Sequence, residues 1–320
     1  MVLPKATSDR LSQDSKKWNS RLRNPRWPQG LFLFVLGLAA GAIVNRTPPS
    51  TIAVTKTSSS SSSPEIMDID ITAIEKCSAK QKKDYNVAMK DIHSKNPYAN
   101  FAPSMYGIKG PDLSGWGLDK AHEKLFNVVK PKFMVEVGSW KGLSATNFAK
   151  MMHKTHGDND TTCPMLICVD TWLGTTIAWE NKDMENPGSG NTLYLRNGYP
   201  SVYYQFLYNV IDQGVSDIIV PLPLPSVMGA IFLNRAGALP DAIYIDGCHD
   251  ETCVNEDLEE WFPLLKENGV LFGDDYSRQG VQNAVKNYCT DSNNCNLDQK
   301  LTTVRTFVLR KGTKKDGATI

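Results

Sequence analysis

The sequence has almost no net charge and no extended basic region. Its 35 Lys and Arg side chains are offset by 34 Asp and Glu side chains, which gives a formal net charge of +1 at pH 7. A protein that binds the phosphate backbone of nucleic acid needs a basic patch or stripe, and the body of this chain has none. The composition therefore predicts no nucleic-acid partner.

Several common ligand-binding motifs are missing as well. None of the seven Cys residues forms a C-x-x-C pair, which argues against a zinc site or a thioredoxin-like redox centre. The stretch "VEVGSWKGLSA" (135–145) has Trp140 where the dinucleotide-binding pattern G-x-G-x-x-G has its second Gly. It also lacks the Gly-Lys-Ser/Thr of a P-loop. The chemistry of this chain must come from another arrangement of residues.

The Cys residues leave two possibilities open. Six of them lie in the body of the chain: Cys163, Cys168, Cys248, Cys253, Cys289 and Cys295. In an oxidising compartment three pairs of sequence neighbours give the simplest disulfide connectivity. Unpaired buried thiols are an equal alternative.

One long apolar run without charged side chains lies near the N-terminus. Residues 1–29 carry seven basic and two acidic side chains, and "GLFLFVLGLAAGAIV" (30–44) has no charged side chain. As a helix this run would reach about 22 Å, which is short of the ~30 Å of an average bilayer core but close to acceptable for a thin early-secretory membrane. The positive-inside rule then predicts a cytosolic tail, a signal anchor at 30–44 and a lumenal remainder in the Golgi or endoplasmic reticulum. The alternatives are a cleaved signal peptide, which implies secretion, and an organelle presequence.

The region after the apolar run cannot build a core. Residues 45–66 contain six consecutive Ser together with several Thr and Pro, a composition that predicts a disordered stalk. We interpret residues 67–104 as an N-terminal extension. The length that remains, 105–320, is that of one catalytic domain.

From about residue 116, short apolar runs alternate with longer amphipathic ones. The short runs predict buried strands at 132–138, 165–172, 217–224, 241–247 and 269–276. Helical patterns lie between them at 143–154, 201–212, 226–237 and 251–267. The stretch 301–312 again has strand character. This order predicts an α/β fold with a Rossmann-like, doubly wound and mostly parallel sheet.

Acidic residues follow several of the predicted strands. In an open α/β sheet, ligands bind in the crevice beyond the carboxyl ends of the strands. We therefore expect five acids to converge on one crevice: Glu136, Asp170, Asp246, Asp274 and Asp275.

Two other stretches allow more than one interpretation. The insertion 173–206 is long for a strand-to-helix connection, which is typical of a functional loop. Aromatic residues in or beside it could line an acceptor pocket or belong to the core: Trp172, Trp179, Tyr199 and Tyr203. The sequence "EDLEEW" (256–261) predicts a solvated helix face with Trp261 packed inward.

The loop after the first predicted strand resembles a known cofactor motif. Its residues "EVGSWKG" (136–142) are similar to motif I of class I S-adenosylmethionine-dependent methyltransferases. Gly138 and Gly142 are expected to let the backbone approach the ligand without a Cβ in the way. The resemblance implies that Asp170 binds the ribose hydroxyls. The full set of expected cofactor contacts is Glu136, Gly138, Ser139, Gly142, Asp170 and Asp246.

The later strand ends extend the resemblance. "IDGCH" (245–249) and "GDDY" (273–276) resemble a subgroup that includes macrocin-type sugar O-methyltransferases and cephalosporin-hydroxylase-like proteins. The similarity covers roughly residues 105–312. It implies transfer of a methyl group to a hydroxyl oxygen.

A divalent-metal site is expected on the acceptor side of the crevice. The carboxylates of Asp246, Asp274 and Asp275 would repel one another unless a cation joined them, and oxygen ligands favour Mg²⁺ or a similar ion. The set resembles the metal triad of catechol O-methyltransferase-type enzymes, which have Asn where this chain has Asp275.

His249 is the candidate general base, with Asp246 as its catalytic partner. It lies three residues after Asp246, where macrocin-type enzymes carry His and catechol-type enzymes carry Lys. Imidazole, with an unperturbed pKa of about 6.5, can accept a proton from an activated hydroxyl. The alternative is a surface His that caps the next helix.

Together these features predict a membrane-anchored, metal-dependent O-methyltransferase whose acceptor is a glycan or a small molecule. One alternative is a lumenal glycosyltransferase that uses an Asp-x-Asp metal motif, either "DID" (68–70) or "DND" (158–160). The other is a non-catalytic protein that kept the fold. The sequence does not indicate an oligomeric state.

Overall fold

A computed structural model describes residues 83–115, 117–156, 163–180, 193–291 and 295–312. The predicted tail, anchor and stalk, both Asp-x-Asp strings and part of the 173–206 insertion lie outside these ranges. Within them, no helix is both long enough and apolar enough to cross a membrane. The anchor at 30–44 therefore stays a prediction.

Helices and strands alternate along the described ranges. These ranges contain the α-helices α1 Lys83–His93, α2 Lys120–Val129, α3 Leu143–Thr155, α4 Thr176–Glu180, α5 Val202–Asp212, α6 Ser226–Arg235, α7 Glu251–Trp261 and α8 Gln279–Asp291. The strands are β1 Phe133–Val137, β2 Met165–Val169, β3 Ile219–Leu222, β4 Ala242–Ile245, β5 Val270–Gly273, β6 Cys295–Leu297 and β7 Phe307–Lys311. Short 3₁₀ helices occur at Pro103–Tyr106 and Phe262–Leu264.

The strands form one sheet in the order β3-β2-β1-β4-β5-β7-β6. Strands β1 to β5 are parallel, β7 is antiparallel to β5, and β6 is antiparallel to β7. The predicted α/β class and mostly parallel sheet are confirmed. The C-terminal strand predicted within 301–312 joins the sheet as β7, and the short β6 was not predicted.

Both faces of the sheet are covered, so its central strands are almost continuously apolar. Side chains alternate between the faces along each strand, as β1 illustrates. Met134 belongs to a core layer with residues of α2, α3 and α5, among them Phe148. Val135 belongs to the opposite layer, with residues of α1, α6, α7 and α8, among them the fully buried Trp261. The inward packing predicted for Trp261 is confirmed.

Helix α1 is built into the edge of the domain. Tyr85 and Met89 are buried in the same layer as the odd-numbered side chains of β1. The Tyr85 hydroxyl donates to the carbonyl oxygen of Ser216 at 2.6 Å, and His93 Nε2 lies 2.6 Å from the carbonyl oxygen of Pro221. The described part of the 67–104 extension therefore packs beside strand β3.

Two of the three sequence-neighbour disulfides are present. Cys248 is joined to Cys253 and Cys289 to Cys295. The third pair does not form. Cys168 is a free thiol buried within β2, and Cys163 takes part in another disulfide.

Candidate functional site

A cavity of about 1080 Å³ opens at the carboxyl ends of β1, β2, β4 and β5. The end of each strand carries a loop that contributes to the wall, as the sheet topology requires. Eight of the nine predicted site residues line it: Gly138, Ser139, Gly142, Asp170, Asp246, His249, Asp274 and Asp275. The expected crevice is therefore present, and Glu136 is the exception.

Glu136 lies behind the cavity wall. It is 0% exposed, and strand alternation puts its side chain on the same face as Met134. Burial raises the pKa of this carboxyl to about 7, although the hydroxyls of Ser139 and Ser144 oppose the rise. Glu136 is thus absent from the cavity wall, and its role in cofactor binding stays a prediction.

Both glycines of the first loop adopt left-handed backbone conformations, with φ of +90° at Gly138 and +86° at Gly142. A Cβ on Gly138 would lie 2.4 Å from the carbonyl oxygen of Asp246, and one on Gly142 would lie 2.9 Å from the Phe206 ring. The space that these glycines leave free is thus filled by protein. They permit close packing of the loop, which corrects the expectation that they make room for the ligand itself.

Helix α3 begins beside the cavity. Its N-cap is Gly142, and among the described residues no side chain caps the helix. Leu143 and Ser144 of the first turn line the cavity. Free N–H groups and the helix dipole favour a negatively charged ligand group at such a position. The carboxylate of S-adenosylmethionine is a group of this kind, so the site fits the predicted cofactor.

Asp170 occupies the predicted position at the end of β2. Its Oδ2 accepts the backbone N–H of Trp140 at 2.8 Å, and its Oδ1 accepts the backbone N–H of Trp172 at 2.7 Å. Burial raises the pKa of Asp170, and these two hydrogen bonds oppose the rise. The fixed carboxylate at the cavity wall can accept hydrogen bonds from hydroxyl groups of a ligand.

A strap of residues 110–115 is tied to the first loop. Lys141, which is 3% exposed, donates from Nζ to Asp112 Oδ2 at 2.9 Å and also to the hydroxyl of Ser114. Asn209 donates from Nδ2 to the carbonyl oxygens of both Asp112 and Lys141, each at 2.8 Å. Ser114 and Gly115 line the cavity. No sequence pattern predicted this strap.

His249 lies between two carboxylates. Its Nε2 is 2.8 Å from Asp275 Oδ2 and 3.7 Å from Asp246 Oδ1. The pKa of His249 is raised, chiefly by Asp246 and further by Asp275, while burial and Arg278 act in the opposite direction. The hydroxyl of Tyr244 donates to the other oxygen of Asp246 at 3.3 Å. The predicted base and its predicted partner are therefore close, but Asp275 is nearer.

Asp274 is bound to a basic side chain that the sequence did not reveal. Arg305 Nε donates to Asp274 Oδ1 at 2.8 Å, and Arg305 Nη2 donates to Oδ2 at 2.6 Å. Arg278 Nε lies 3.3 Å from Asp275 Oδ1. The expectation that three carboxylates come together without matched basic groups is wrong. The antiparallel strand β7 brings Arg305 to Asp274 although 31 residues separate them.

The predicted three-carboxylate metal set is consequently not assembled. Ligand atoms of Asp246, His249 and Asp275 lie within 4.8 Å of one another, a spacing that a single divalent ion could bridge. Asp274 instead uses both of its oxygens on Arg305. The donor set therefore fits a cation only with a nitrogen from His249 in place of the third carboxylate.

The four aromatic residues in or beside the 173–206 insertion have different environments. Trp172 is 2% exposed and packs on Phe206, with ring centroids 4.9 Å apart, so it is a core residue. Trp179 and Tyr199 are 36% and 66% exposed. Tyr203 packs edge-on against Trp172. Trp140 of the first loop, 38% exposed, is the tryptophan ring that both lines the cavity and remains accessible among the described residues.

Comparison with known families decides the class of this site. Residues 135–276 match the sequence model of a family described as a methyltransferase domain. Residues 135–276 therefore form a methyltransferase domain. The match spans the first loop, Asp170, His249 and the "GDDY" segment, so it covers most of the cavity wall described above. Recognition of a class I S-adenosylmethionine-dependent methyltransferase from the sequence is confirmed.

Solved structures similar to the methyltransferase domain share little sequence with it. A putative O-methyltransferase from Klebsiella pneumoniae is 13% identical, with 71% of this chain and 95% of that chain covered and a TM-score of 0.42. An O-methyltransferase from Bacillus cereus in complex with SAH is 10% identical, with 71% and 96% covered and a TM-score of 0.40. The O-methyltransferase TomG from Streptomyces achromogenes in complex with SAM is 12% identical, with 74% and 100% covered and a TM-score of 0.40. No curated protein matches the chain.

Proposed function

We propose that this methyltransferase transfers the methyl group of S-adenosylmethionine to a hydroxyl oxygen of its acceptor. The observation that carries the proposal is the approach of His249 Nε2 to within 2.8 Å of Asp275 Oδ2 in the cavity that also contains the first loop. A paired imidazole beside the cofactor loop provides a base for an acceptor O–H.

In the proposed reaction, one side of the cavity activates the acceptor and the other side binds the cofactor. When bound, S-adenosylmethionine supplies an electrophilic methyl group on a positively charged sulfur. Because Nε2 of His249 faces the Asp275 carboxylate and carries the proton of the neutral ring, Nδ1 accepts the hydroxyl proton as the acceptor oxygen attacks. Asp275 stabilises the imidazolium that forms. The rest of the rate enhancement comes from holding the two reactants in line within one cavity.

We assign cofactor binding to the side of the cavity that contains Asp170 and the start of α3. Asp170 accepts hydrogen bonds from the ribose hydroxyls, in agreement with the family resemblance. The first turn of α3, which starts at Leu143, faces the carboxylate of the methionine portion. Ser139 and the strap residue Ser114 supply further polar surface on the cavity wall.

Dependence on Mg²⁺ or a similar ion stays a prediction, and no step above depends on it. Asp246 and Asp275 are the carboxylates open to such an ion, because Arg305 holds Asp274. Calorimetric titration with Mn²⁺ tests this directly. Asp246→Asn should abolish any binding that the wild type shows, whereas Asp274→Asn should retain it.

A sugar is the proposed acceptor class, with other small hydroxyl compounds as the alternative. The cavity wall combines carboxylates with the accessible ring of Trp140. Polar groups can bind sugar hydroxyls, while an indole face can pack against the C–H face of a pyranose. This mixture supports an amphipathic acceptor rather than a purely apolar one.

We also propose that the domain faces a lumenal or extracellular space and is tethered by residues 30–44. Disulfides persist in oxidising compartments, and the described residues include the pairs Cys248–Cys253 and Cys289–Cys295. Carbonate extraction of membranes from cells that express the full chain tests the tether. Release of the protein into the soluble fraction would favour a cleaved signal peptide.

The decisive experiment uses methyl-labelled S-adenosylmethionine and panels of glycans and small hydroxyl compounds. The wild-type full-length chain should transfer label to an acceptor oxygen, and Asp170→Asn should weaken cofactor binding. Transfer of the sugar from a labelled nucleotide sugar, in a parallel assay, would instead support the glycosyltransferase alternative. Cofactor binding without transfer to any acceptor in either panel would support a non-catalytic protein.

A further inference from the structure

Arg305 contacts the residues on both sides of Asp275. Its guanidinium makes a bidentate ion pair with the carboxylate of Asp274, which is 8% exposed. Its backbone carbonyl oxygen accepts the N–H of Tyr276 at 2.8 Å. A bidentate Arg–carboxylate pair fixes orientation as well as distance. One residue thus holds positions 274 and 276 at once.

Asp275, between these two positions, has an unusual backbone. Its φ is +55°, in the left-handed region that residues with a Cβ rarely adopt. Such a conformation persists only where the surrounding structure holds it in place. It directs the carboxylates of Asp274 and Asp275 to different partners. Asp274 reaches Arg305, and Asp275 Oδ2 lies 2.8 Å from His249 Nε2.

The loop that carries Arg305 is itself well defined. Thr303 Oγ1 accepts the backbone N–H of Arg305 at 3.2 Å and that of Thr306 at 3.0 Å. The N–H of Thr303 donates to the carbonyl oxygen of Thr306 at 2.8 Å. The next residue, Phe307, begins β7 and pairs with Gly273 at the end of β5. Arg305 is therefore attached to a rigid support.

We infer that Arg305 is a positioning residue: by fixing both neighbours of Asp275, it holds the Asp275 carboxylate against His249. The inference rests on the proposed function, in which His249 accepts the acceptor proton. It also explains why Asp274 is absent from the group formed by Asp246, His249 and Asp275. A Lys side chain could compensate the charge of Asp274, but the bidentate contact requires a guanidinium.

The same strand region provides a matched control. Arg310 lies on β7, and its Nε donates to Asp298 Oδ2 at 2.7 Å. Its side chain is 36% exposed, compared with 31% for Arg305. Neither Arg310 nor Asp298 lines the cavity. Arg310→Met therefore removes a comparable ion pair without touching the site.

The first experiment follows the imidazole of His249 without any need for turnover. Full-length protein labelled with ¹⁵N-histidine is compared by NMR at fixed pH, and His249→Ala identifies the resonance. Arg305→Met and Arg305→Lys should both shift the His249 signals, because Asp275 loses its fixed orientation. Arg310→Met should leave them unchanged. Unaltered His249 signals in both Arg305 variants would overturn the inference.

The second experiment measures turnover. Arg305→Met and Arg305→Lys should lower kcat at least about tenfold while the affinity for S-adenosylmethionine changes less than about twofold. In a His249→Ala background, Arg305→Met should cause no further loss, because its effect acts through His249. Full activity of Arg305→Lys, or independent losses in the double variant, would refute the positioning role. A wild-type chain that binds cofactor and transfers no methyl group would refute the proposed function, and the NMR result would still decide the inference.

Discussion

At the scale of single residues, the site depends on how charges are paired. The same acidic segment supplies Asp274 to Arg305 and Asp275 to His249. Two adjacent carboxylates therefore have different partners. A sequence pattern alone would treat them as equivalent metal ligands.

Replacement of His249 by Ala is expected to lower kcat by about 10² to 10⁴, because a positioned general base is lost. Binding of S-adenosylmethionine should be nearly unchanged, since His249 lies on the acceptor side. The measurement is single-turnover transfer of labelled methyl groups together with calorimetric cofactor binding. A variant as active as the wild type would exclude His249 as the base.

The pH dependence of this reaction has a defined sign. The base must be neutral to accept a proton, and the pKa of His249 is raised above its ordinary value of 6.5. Activity should therefore increase with pH through a transition above 6.5. In His249→Ala that transition should disappear from the profile of kcat/KM. A wild-type transition below 6.5 would contradict the assignment.

At the scale of structural elements, the strap of residues 110–115 lines the cavity beside the first loop. Lys141 attaches it to the first loop, and its ammonium also lies 4.3 Å from the centroid of the Trp140 ring. The family match begins at residue 135, after the strap. The cavity wall therefore includes residues that precede the matched region.

Lys141→Met is expected to weaken S-adenosylmethionine binding about tenfold, mainly through faster dissociation, because the strap loses its charged link to the first loop and Asp112 loses its basic partner. Lys150→Met is the matched control. Lys150 is also buried, at 6% exposure, and its Nζ donates to Gln213 Oε1 at 2.6 Å away from the cavity. Stopped-flow release of cofactor should be faster in Lys141→Met only. Equal rates in the two variants would exclude a role for the strap.

At the scale of the whole molecule, buried ionisable groups link stability to pH. Asp257 was expected on a solvated helix face but is 4% exposed. Its Oδ1 accepts a hydrogen bond from Ser226, whose Oγ in turn accepts one from Trp261 Nε1 at 2.8 Å. These contacts join α6 to α7. Burial raises the pKa of Asp257 from 3.8 to about 6.

The direction of this pH dependence follows from the protonation of Asp257 in the folded and unfolded states. Between pH 4 and 6 the unfolded chain has released the proton of Asp257, whereas the folded chain still retains it. The free energy of unfolding should therefore decrease as pH rises through this window, by up to about 3 kcal/mol at about 1.4 kcal/mol per pKa unit. Urea denaturation of wild type and Asp257→Asn at each pH isolates this contribution as a difference. A difference that is constant from pH 4 to 7 would contradict the prediction.

The sequence by itself determined strands β1 to β5 and β7, helices α3, α5, α6 and α7, and the position of the cavity. Apolar runs with strand character and amphipathic runs with helical character are local patterns, and Trp261 lies inward as its helical position predicts. Strand ends are local too, which is why Asp170, Asp246 and His249 could be assigned to one crevice in advance. These inferences need only the periodicity of each element and the rule for ligands at parallel strands.

Only the tertiary structure decided which side chains meet. Glu136 follows the acidic pattern yet faces the core, because its strand has helices on both sides. Gly138 serves contact with the backbone of Asp246, which comes from another strand. Arg305 reaches Asp274 because β7 runs antiparallel to β5 and pairs Phe307 with Gly273. Such contacts join residues far apart in the chain, so their partners are fixed by strand order and register, which no local pattern contains.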